Sequence, residues 1–356
     1  MTRSPLRCQL SPIADYHDGF VDTMPTDRND LPTSAEVFTA AQNIAGRIHR
    51  TPLISSGQIN GITGANLWFK CEHLQKVGAF KARGASNALA QLPPETRRVA
   101  THSSGNHGAA LAWAAAERGL ACIVVMPETV PAAKRAAVAG YGAEIVTCGA
   151  TQDEREAALK KVVAETGAHV VPPFDDRRII AGQGTVALEI MQQCREQGFT
   201  PDIVMAPVGG GGLLAGVGLA IAALAPDVLV IGAEPAGADD AQRSLRGGVH
   251  ITSQEPRTIA DGLRTTLGRR NYAIARRTVR DVVTVSERGI VEAMRLLWTR
   301  TKQLVEPSAA VPLAAVLEHG ARFRNKNVAL VLTGGNMDLD RVAELFSESS
   351  EEDESP

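Results

Sequence analysis

The sequence has no apolar run long enough to cross a lipid bilayer. The best candidate, residues 213–225, contains two glycines and is shorter than the roughly 20 apolar residues that a transmembrane helix requires. The first 30 residues carry five aspartates and no continuous apolar core, so they resemble neither a secretory signal nor an Arg-rich transit peptide. We therefore expect a cytoplasmic protein with no membrane contact.

The sequence also lacks an excess of one charge and any clustering of cysteines. A formal net charge of -2 over 356 residues gives no electrostatic reason to expect binding to nucleic acid or to an anionic membrane. The cysteines show no CxxC pair and no matching Cys/His spacing, which favours free thiols in a reducing compartment and argues against a zinc site. They are Cys8, Cys71, Cys122, Cys148 and Cys194.

The folded part of the chain is predicted to begin near Thr33. Thr33 and Glu36 fit a capping box, and apolar residues follow at helical spacing. We predict that residues 1–32 form a disordered extension, and that residues 346–356 form a disordered acidic tail with too little apolar surface to bury. The length between them is compatible with two domains.

Short apolar runs alternate with alanine-rich helical patterns along this folded part. The predicted strands are 121–126, 143–148, 202–208, 228–234, 281–285 and 327–333. The predicted helices are 106–118, 131–140, 153–166, 182–195, 213–225 and 288–303. This alternation predicts an α/β fold with parallel sheets and helices on both faces, in which ligands bind beyond the carboxyl ends of strands.

Four consecutive glycines, Gly209–Gly212, follow one predicted strand and precede a helix. Because they have no Cβ atoms, their backbone N–H groups can turn toward one anion, and the start of the helix adds a partial positive charge. A flexible linker is the alternative, but it would have polar neighbours rather than Val208 and Leu213. Neither a Walker lysine nor a ribose-binding acid accompanies the glycines, so we expect a monophosphate.

Lys81 lies in the otherwise small and apolar stretch VGAFKARGASNAL, residues 77–89. A lysine amine becomes a nucleophile toward carbonyls when its surroundings lower its pKa. Taken alone, Lys81 is an ordinary surface lysine. A cofactor with both an aldehyde and a phosphate would explain Lys81 and the glycine loop together.

The segment THSSGNHG, residues 101–108, joins a short strand to an alanine-rich helix. The exposed N–H groups at the start of this helix suit a carboxylate ligand. Plain N-capping by Ser103 or Ser104 is the alternative, although capping would need only one of these residues. A catalytic Ser/His pair is disfavoured because the sequence has no G-x-S-x-G elbow.

Two further strand ends carry polar residues. Thr333 ends a buried strand beside two glycines, where a simple strand-to-turn transition is also consistent with the pattern. Glu234 and Asp240, with a backbone carbonyl between them, can bind a hard cation. From spacing alone, helix capping by Asp239 or Asp240 is the favoured alternative.

Seven motifs occur in an order that resembles the fold-type II pyridoxal-phosphate enzymes, and most closely the serine racemase and serine/threonine dehydratase family, which includes threo-3-hydroxyaspartate dehydratases. They are AFKARGA, SSGNHG, PVGGGG, AEPAGADD, TIADGLRTTLG, VEPSAAV and LTGGN, and the resemblance spans residues 51–338. It implies a tryptophan synthase β-like fold with two open, twisted, mostly parallel sheets flanked by helices. The cofactor would lie in the cleft between a large domain (33–97 and 176–345) and a small domain (98–175).

The resemblance implies roles for residues of the cofactor site. Lys81 would form a Schiff base with pyridoxal 5'-phosphate, and Phe80 would flank the ring. Asn106 would hydrogen-bond the 3-oxygen of the ring, and Thr333 would face the pyridine nitrogen. The phosphate would be held by Gly209, Gly210, Gly211, Gly212 and Leu213.

A substrate segment and a metal site are implied as well. The substrate carboxylate would be received by Ser103, Ser104, Asn106 and His107. The side chains of Glu234 and Asp240, with the carbonyl of Ala238, would bind Mg2+, Mn2+ or Ca2+ in a structural or activating role away from the cofactor.

The activity implied by the resemblance is that of an ammonia-lyase. A substrate amine would displace Lys81, and the freed amine would remove the α-proton as general base. Because the neutral hydroxyl of Thr333 cannot keep the pyridine nitrogen protonated as a carboxylate would, loss of a β-hydroxyl is favoured, and hydrolysis then yields a keto acid and ammonia. The candidate substrates are L-serine, L-threonine and L-threo-3-hydroxyaspartate.

Two residues bear on specificity. A hydroxyl at Ser104, on the face opposite Lys81, can donate the proton that racemisation needs, whereas many threonine dehydratases have alanine there. This favours serine racemase activity or hydroxyaspartate dehydration. Arg155 matches an arginine near the substrate cleft of serine racemase, where it can bind a second carboxylate; a solvated helix arginine is an equal alternative.

We expect a homodimer. Serine racemase, which the chain resembles, binds a nucleotide as activator. Positions that serine racemase uses for a nucleotide activator are matched by Ser55, Ser56, Lys76, Tyr141, Lys302 and Asn336. Val77 and Ala109, however, replace a threonine and a glutamine of that site, which argues against nucleotide activation.

Two alternative functions are compatible with the same fold and cofactor. One is a β-replacement enzyme of the cysteine-synthase kind, against which the ADGLRT and metal-type motifs speak. The other is a non-catalytic regulator that binds pyridoxal phosphate, which an intact Lys81 disfavours.

Overall fold

The computed structural model describes residues 30–103, 105–130 and 132–351. Its helices are α1 (Ser34–Ile44), α2 (Gly57–Thr63), α3 (Lys81–Ala90), α4 (Asn106–Ala116), α5 (Ala132–Gly140), α6 (Gln152–Thr166), α7 (Arg177–Glu196), α8 (Gly212–Leu224), α9 (Asp240–Gly247), α10 (Arg269–Thr278), α11 (Glu287–Leu296), α12 (Pro307–Glu318) and α13 (Leu339–Glu351). Its strands are β1 (Leu53–Ser55), β2 (Asn66–Cys71), β3 (Arg98–His102), β4 (Ala121–Pro127), β5 (Glu144–Cys148), β6 (His169–Val170), β7 (Ile203–Pro207), β8 (Leu229–Pro235), β9 (Asp281–Val285) and β10 (Asn327–Leu332).

The strands form two sheets. One has six strands in the order β1-β2-β10-β7-β8-β9, and the other has four in the order β5-β4-β3-β6. All neighbours are parallel except β1 and β2, which pair antiparallel. The predicted α/β fold with two mostly parallel sheets is therefore confirmed. All strands of the four-stranded sheet fall within residues 98–175, so we propose that this segment is the small domain.

Helices cover both faces of the six-stranded sheet, as the continuously apolar strands require. In β7, Val204 and Ala206 point toward a core shared with α1, α7 and α8. Ile203 and Met205 point to the opposite core, which is built with α11 and α12. The alternation along one strand thus produces two separate apolar layers.

The six predicted strands are confirmed to within about one residue, while two helices differ from the prediction. Helix α7 begins at Arg177 rather than at 182, because the side chain of Asp176 accepts hydrogen bonds from the backbone N–H groups of Arg178 and Ile179. The predicted helix 288–303 is divided into α11 and a π-helical turn, Leu297–Thr301.

Strand β2 was missed because Lys70 interrupts its apolar pattern. The amine of Lys70 is fully buried, where it donates hydrogen bonds to Glu189 at 2.6 Å and to the carbonyl oxygen of Thr51 at 2.7 Å. A lysine is buried only with such partners, and they lie far away in sequence.

The structure also corrects the predicted limits of the folded part. The capping box of Thr33 and Glu36 is confirmed, but Asp30 already forms an ion pair with Arg270 at 2.6 Å, so the packed chain includes residues 30–32. At the other end, α13 continues through residues 346–351, because Phe346 packs edge-on against Trp298 with ring centroids 5.6 Å apart. The remaining parts of both predicted disordered segments, 1–29 and 352–356, lie outside the described residues.

Among the described residues, we find no helix whose length and apolar character would allow it to cross a membrane.

Candidate active site

Lys81 lies at the first position of α3, beside the carboxyl end of the central strand β10. The backbone N–H of Phe80 donates a hydrogen bond of 3.0 Å to the carbonyl oxygen of Thr333, and Ala79 forms a β-bridge with Gly334. These contacts fasten the start of α3 to the strand end that carries Thr333. The structure therefore brings together two residues predicted to contact the same cofactor.

The amine of Lys81 is bound by a backbone carbonyl group. Its Nζ donates a hydrogen bond of 2.8 Å to the carbonyl oxygen of Pro173 and lies 5.3 Å from the centroid of the Phe80 ring. Burial lowers the pKa of Lys81 to about 8, while the nearby carboxylate of Glu306 acts in the opposite direction. About one tenth of the amine is thus uncharged at pH 7, far more than for an ordinary lysine, and the uncharged amine is the nucleophile toward an aldehyde.

The glycine run forms the connection from β7 to α8 and is fully buried. A Cβ atom at Gly210 would collide with the ring of Phe174, and Gly211 has a φ of 82°, which favours glycine. Packing therefore requires these glycines, which excludes a flexible linker. Gly211 is the N-cap residue of α8 and has no side chain, so no side-chain oxygen caps the first N–H groups of this helix, and they can bind an anion.

Pro173 and Phe174 connect the lysine to the glycine loop. Pro173 accepts the hydrogen bond of Lys81, and the carbonyl oxygen of Phe174 lies 2.9 Å from the position that a Cβ at Gly212 would occupy. The Lys81 amine and the glycine loop at the start of α8 therefore lie against two consecutive residues, Pro173 and Phe174. This pair fits a cofactor that carries an aldehyde and a phosphate, so the residues present fit pyridoxal phosphate.

Asn106 begins α4 and is held at both ends of its amide. Its Nδ2 donates to the two carboxylate oxygens of Glu306, at 2.9 and 3.2 Å, and its Oδ1 accepts from Nδ2 of Asn336 at 2.8 Å. Ser103 lies just before it, and its Oγ accepts a hydrogen bond of 3.4 Å from the backbone N–H of Gly105. Ser104 lies outside the described residues.

His107 is buried, and its side chain is committed to a structural contact. Its Nε2 lies 3.1 Å from the carbonyl oxygen of Val171, and burial, with the charge of Lys81 adding to it, lowers the pKa of His107 to about 3. The imidazole is therefore neutral and gives no positive charge to a substrate carboxylate. What remains of its predicted role is the backbone N–H in the first turn of α4.

Arg155 lies near the start of α6, on the four-stranded sheet. Its Nη2 donates a hydrogen bond of 2.7 Å to the carbonyl oxygen of Ala150. The pKa of His102, the last residue of β3, is lowered by burial and further by the charge of Arg155. Arg155 thus acts electrostatically on the strand end that leads into the predicted substrate segment.

Glu234, Ala238 and Asp240 lie together at the end of β8, and all three are buried. Burial raises the pKa of Glu234 to about 9, and the charge of Asp240 adds to this effect. Hydrogen bonds from Gln242, Gln254 and Leu267, at 2.6 to 2.7 Å, orient the two carboxylates. No group of three or more His, Cys, Asp or Glu side chains within the described part of the chain could hold a metal ion, so any cation here has two carboxylates and backbone oxygen as its protein ligands.

Two contributors to the site were missed from the sequence. Glu306 is buried against Asn106, and its signal was a lone carboxylate in the apolar stretch VEPSAAV, the same signal that identified Lys81. Arg83 is fully buried on α3 and binds Glu189 of α7 at 2.7 and 2.8 Å. Like Lys81, Arg83 is a charged residue in a small, apolar segment, so the sequence alone already marks it as unusual.

Comparisons with known proteins agree with this geometry. A family model described as "Pyridoxal-phosphate dependent enzyme" matches residues 44–334. The beta-hydroxyaspartate dehydratase of Paracoccus denitrificans (strain Pd 1222) is 45% identical over 314 residues, which cover 88% of this chain and 98% of that protein. The serine racemase of Dictyostelium discoideum is 41% identical over 321 residues, which cover 88% and 98%. Among solved structures, a threonine deaminase from T.th. is similar with a TM-score of 0.84 and 48% identity, covering 86% of this chain and 99% of that one.

Proposed function

The chain belongs to the fold-type II pyridoxal-phosphate-dependent enzymes, and on that premise we propose that it is an ammonia-lyase that converts a β-hydroxy amino acid to a keto acid and ammonia. The observation that carries this proposal is that the Lys81 amine binds the carbonyl oxygen of Pro173 while the glycine loop packs against the next residue, Phe174; burial lowers the pKa of that amine to about 8. Relatives named as a dehydratase, a racemase and a deaminase support the same class of reaction.

When bound, pyridoxal phosphate supplies an electrophilic aldehyde and a ring that delocalises the electrons of a broken Cα–H bond. Lys81 would provide the amine that holds the aldehyde and would act as the general base toward the α-proton of the substrate. The N–H groups of Gly209–Gly212 and Leu213 would hold the phosphate. Phe80 would flank the ring, and Asn106 would hydrogen-bond its 3-oxygen.

Thr333 is the residue we assign to the pyridine nitrogen. It is buried at the end of β10, and the backbone hydrogen bond to Phe80 fixes its position relative to Lys81. A neutral hydroxyl does not keep a pyridine nitrogen protonated, so the ring withdraws electrons weakly. Loss of a β-hydroxyl group is then favoured over reactions that need a long-lived carbanion.

We assign the substrate carboxylate to Ser103, Ser104, Asn106 and the backbone N–H of His107 at the start of α4. L-serine, L-threonine and L-threo-3-hydroxyaspartate are the candidate substrates. Arg155, whose buried Nε has no hydrogen-bond partner among the described residues, is the residue we assign to the second carboxylate of a dicarboxylic substrate. Serine racemisation is a companion activity if Ser104 donates a proton on the face opposite Lys81.

We further propose that Glu234, Asp240 and the carbonyl of Ala238 bind Mg2+, Mn2+ or Ca2+. Their two buried carboxyl groups, oriented by hydrogen bonds from backbone and glutamine N–H groups, form with the Ala238 carbonyl an oxygen-only donor set of the kind that hard cations prefer. This site is at the end of β8, away from Lys81, so the cation stabilises the fold rather than taking part in the reaction.

We also propose how the chain assembles, where it is located and whether a nucleotide activates it. Phe38 and Leu224 are exposed apolar residues beside a groove of about 550 Å³ between α1 and α7, which supports a homodimer that covers them.

The thiols of the four described cysteines are free, which supports a reducing, cytoplasmic compartment. Val77 packs against the apolar cluster that contains Ala109, which argues against a nucleotide activator.

A panel of β-hydroxy amino acids, scored separately for keto acid and for D-amino acid, tests the proposed function. Release of keto acid and ammonia from at least one of the three candidates is the expected result. A β-replacement enzyme would release little keto acid and would need sulfide or another nucleophile as co-substrate. A regulator would leave all three substrates unchanged.

A further inference from the structure

Glu306 is a buried carboxylate that the proposed reaction does not use. It is the N-cap residue of α12, and its backbone N–H donates a hydrogen bond of 3.0 Å to the carbonyl oxygen of Gly334. A Cβ atom at Gly334 would lie 2.6 Å from Glu306 Oε1 and 3.0 Å from Asn106 Nδ2. Only glycine at this position therefore allows the carboxylate to reach Asn106.

The hydrogen-bond chain that ends at Glu306 has one consistent direction. The carbonyl oxygen of Val77 can only accept, so the Asn336 nitrogen that lies 2.7 Å from it is the amide NH2 group. The same NH2 group lies 2.8 Å from the side chain of Asn106, which must present its oxygen. The nitrogen of Asn106 is then the atom that faces Glu306, and a carboxylate is the acceptor it needs.

Within this arrangement, Asn106 has one N–H left. A single N–H shared between the two oxygens of Glu306 accounts for the distances of 2.9 and 3.2 Å. The second N–H remains for a ligand. If the amide were flipped, its oxygen would face both the carboxylate and the ligand and would be repelled by each.

We propose that Glu306 is a positioning residue that fixes the Asn106 amide so that it presents a hydrogen-bond donor, and never an acceptor, to the 3-oxygen of pyridoxal phosphate. This inference rests on the proposed function, because it needs the cofactor to bind beside Asn106. Glu306 acts through Asn106 and touches no reacting atom.

The charge of Glu306 links this arrangement to pH. Burial and the charge of Asp261 raise the pKa of Glu306 to about 7, whereas the hydrogen bond from Asn106 and the charge of Lys134 act in the opposite direction. Lys134 forms an ion pair with Asp261, and the charge of Glu306 in turn raises the pKa of Lys81 against the effect of burial. Below about pH 7 a protonated Glu306 is a weaker acceptor for the Asn106 N–H, so the donor arrangement weakens as pH falls.

The test compares Glu306→Gln with wild type in two measurements on purified protein. The first is the dissociation constant of pyridoxal phosphate for the apoprotein, and the second is the visible absorption spectrum of the loaded protein from pH 6 to 9. Loss of one charge-assisted hydrogen bond should raise the dissociation constant by roughly tenfold. The spectral change with a midpoint near 7 in wild type should disappear in Glu306→Gln.

Three further variants separate positioning from a merely structural role. Glu306→Asp keeps the charge and should restore the pH-dependent spectrum, with a shifted midpoint. Glu318→Gln, at the exposed end of the same helix, should match wild type in both measurements. If Glu306→Gln does not fold, Asn336→Ala, at an exposed position, should weaken cofactor binding in the same direction.

An unchanged dissociation constant and an unchanged pH dependence in Glu306→Gln or, in its place, unchanged binding in Asn336→Ala would overturn the inference. Failure of the wild-type apoprotein to take up pyridoxal phosphate is a different result, because it would overturn the proposed function itself.

Discussion

Both carboxylate oxygens of Glu72 accept hydrogen bonds from the guanidinium of Arg83, each at 2.7 Å, and neither side chain is exposed to solvent. Burial alone would raise the pKa of the Glu72 carboxyl, but the Arg83 guanidinium, together with Lys70 and Thr51, outweighs burial and holds that pKa below its usual range. Because Arg83 follows Lys81 on α3, this ion pair fixes the helix that carries the reactive amine.

Arg83→Met should destabilise the protein strongly. It leaves the carboxylate of Glu72 buried without its charged partner, which typically costs about 3–5 kcal/mol. Arg50→Met is the matched control, since Arg50 pairs with Glu196 on the surface with side chains 48% and 50% exposed, and such pairs contribute about 0–1 kcal/mol. Urea unfolding of both variants measures the difference, and equal losses of stability would contradict the account.

The pKa of Lys81 predicts how cofactor capture depends on pH. Only the uncharged amine attacks an aldehyde, so the capture rate of the apoprotein should rise with pH and level off above about 8, rather than near the ordinary 10.5. Stopped-flow absorbance after mixing with pyridoxal phosphate measures this rate. A rise confined to pH values near 10.5 would show that burial does not perturb the amine.

The lowered pKa of Lys81 also predicts how the stability of the apoprotein changes with pH. The folded-state pKa of Lys81 lies below its unfolded value, so folding disfavours the charged amine below about pH 8. This penalty disappears as pH rises from about 8 toward 10.5. Lys81→Met should therefore be more stable than wild-type apoprotein at pH 7, and the difference should shrink at higher pH.

Ser104→Ala should abolish racemisation and leave much of the dehydration. The hydroxyl is proposed to act only on the face opposite Lys81, whereas elimination needs the base on the lysine side. Parallel assays of D-serine and pyruvate from L-serine measure the two outcomes. Equal loss of both products in Ser104→Ala would contradict the two-face scheme.

Chelator treatment should lower the melting temperature, and Mg2+ or Mn2+ should restore it. Glu234→Gln should remove this response, because it takes away one of the two carboxylate ligands. Asp239→Asn is the matched control, since Asp239 pairs with Arg243 at 2.8 Å on the surface beside the site. A wild-type melting curve that ignores both chelator and cation would remove the metal assignment.

Local periodicity predicted the strands well. The run 281–285 coincides with β9, and 121–126 with all but the last residue of β4, because both are short apolar runs. Residues 66–71 gave no such pattern, since a buried Lys70 depends on Glu189 and Thr51 for its partners. Pairing between distant segments of the chain is not encoded in local periodicity.

The residues of the candidate site also differ in how far the sequence alone predicts them. Lys81 and Gly209–Gly212 each stood out because a lysine in an apolar segment and a run of glycines between apolar residues are both unusual unless a ligand uses them. Glu306 is also a charged residue in an apolar segment, but the sequence does not show its role. That role depends on Asn106, which the fold brings to 2.9 Å from its carboxylate. The neutral, buried state of His107 likewise follows only from the packing around it.

The central claim is that Lys81 binds pyridoxal phosphate covalently. Borohydride reduction of the loaded protein, followed by proteolysis and mass spectrometry, tests it most directly. The account predicts a pyridoxyl group on Lys81 and on no other lysine, and its absence in Lys81→Met. A loaded protein in which Lys81 remains unmodified would contradict the account.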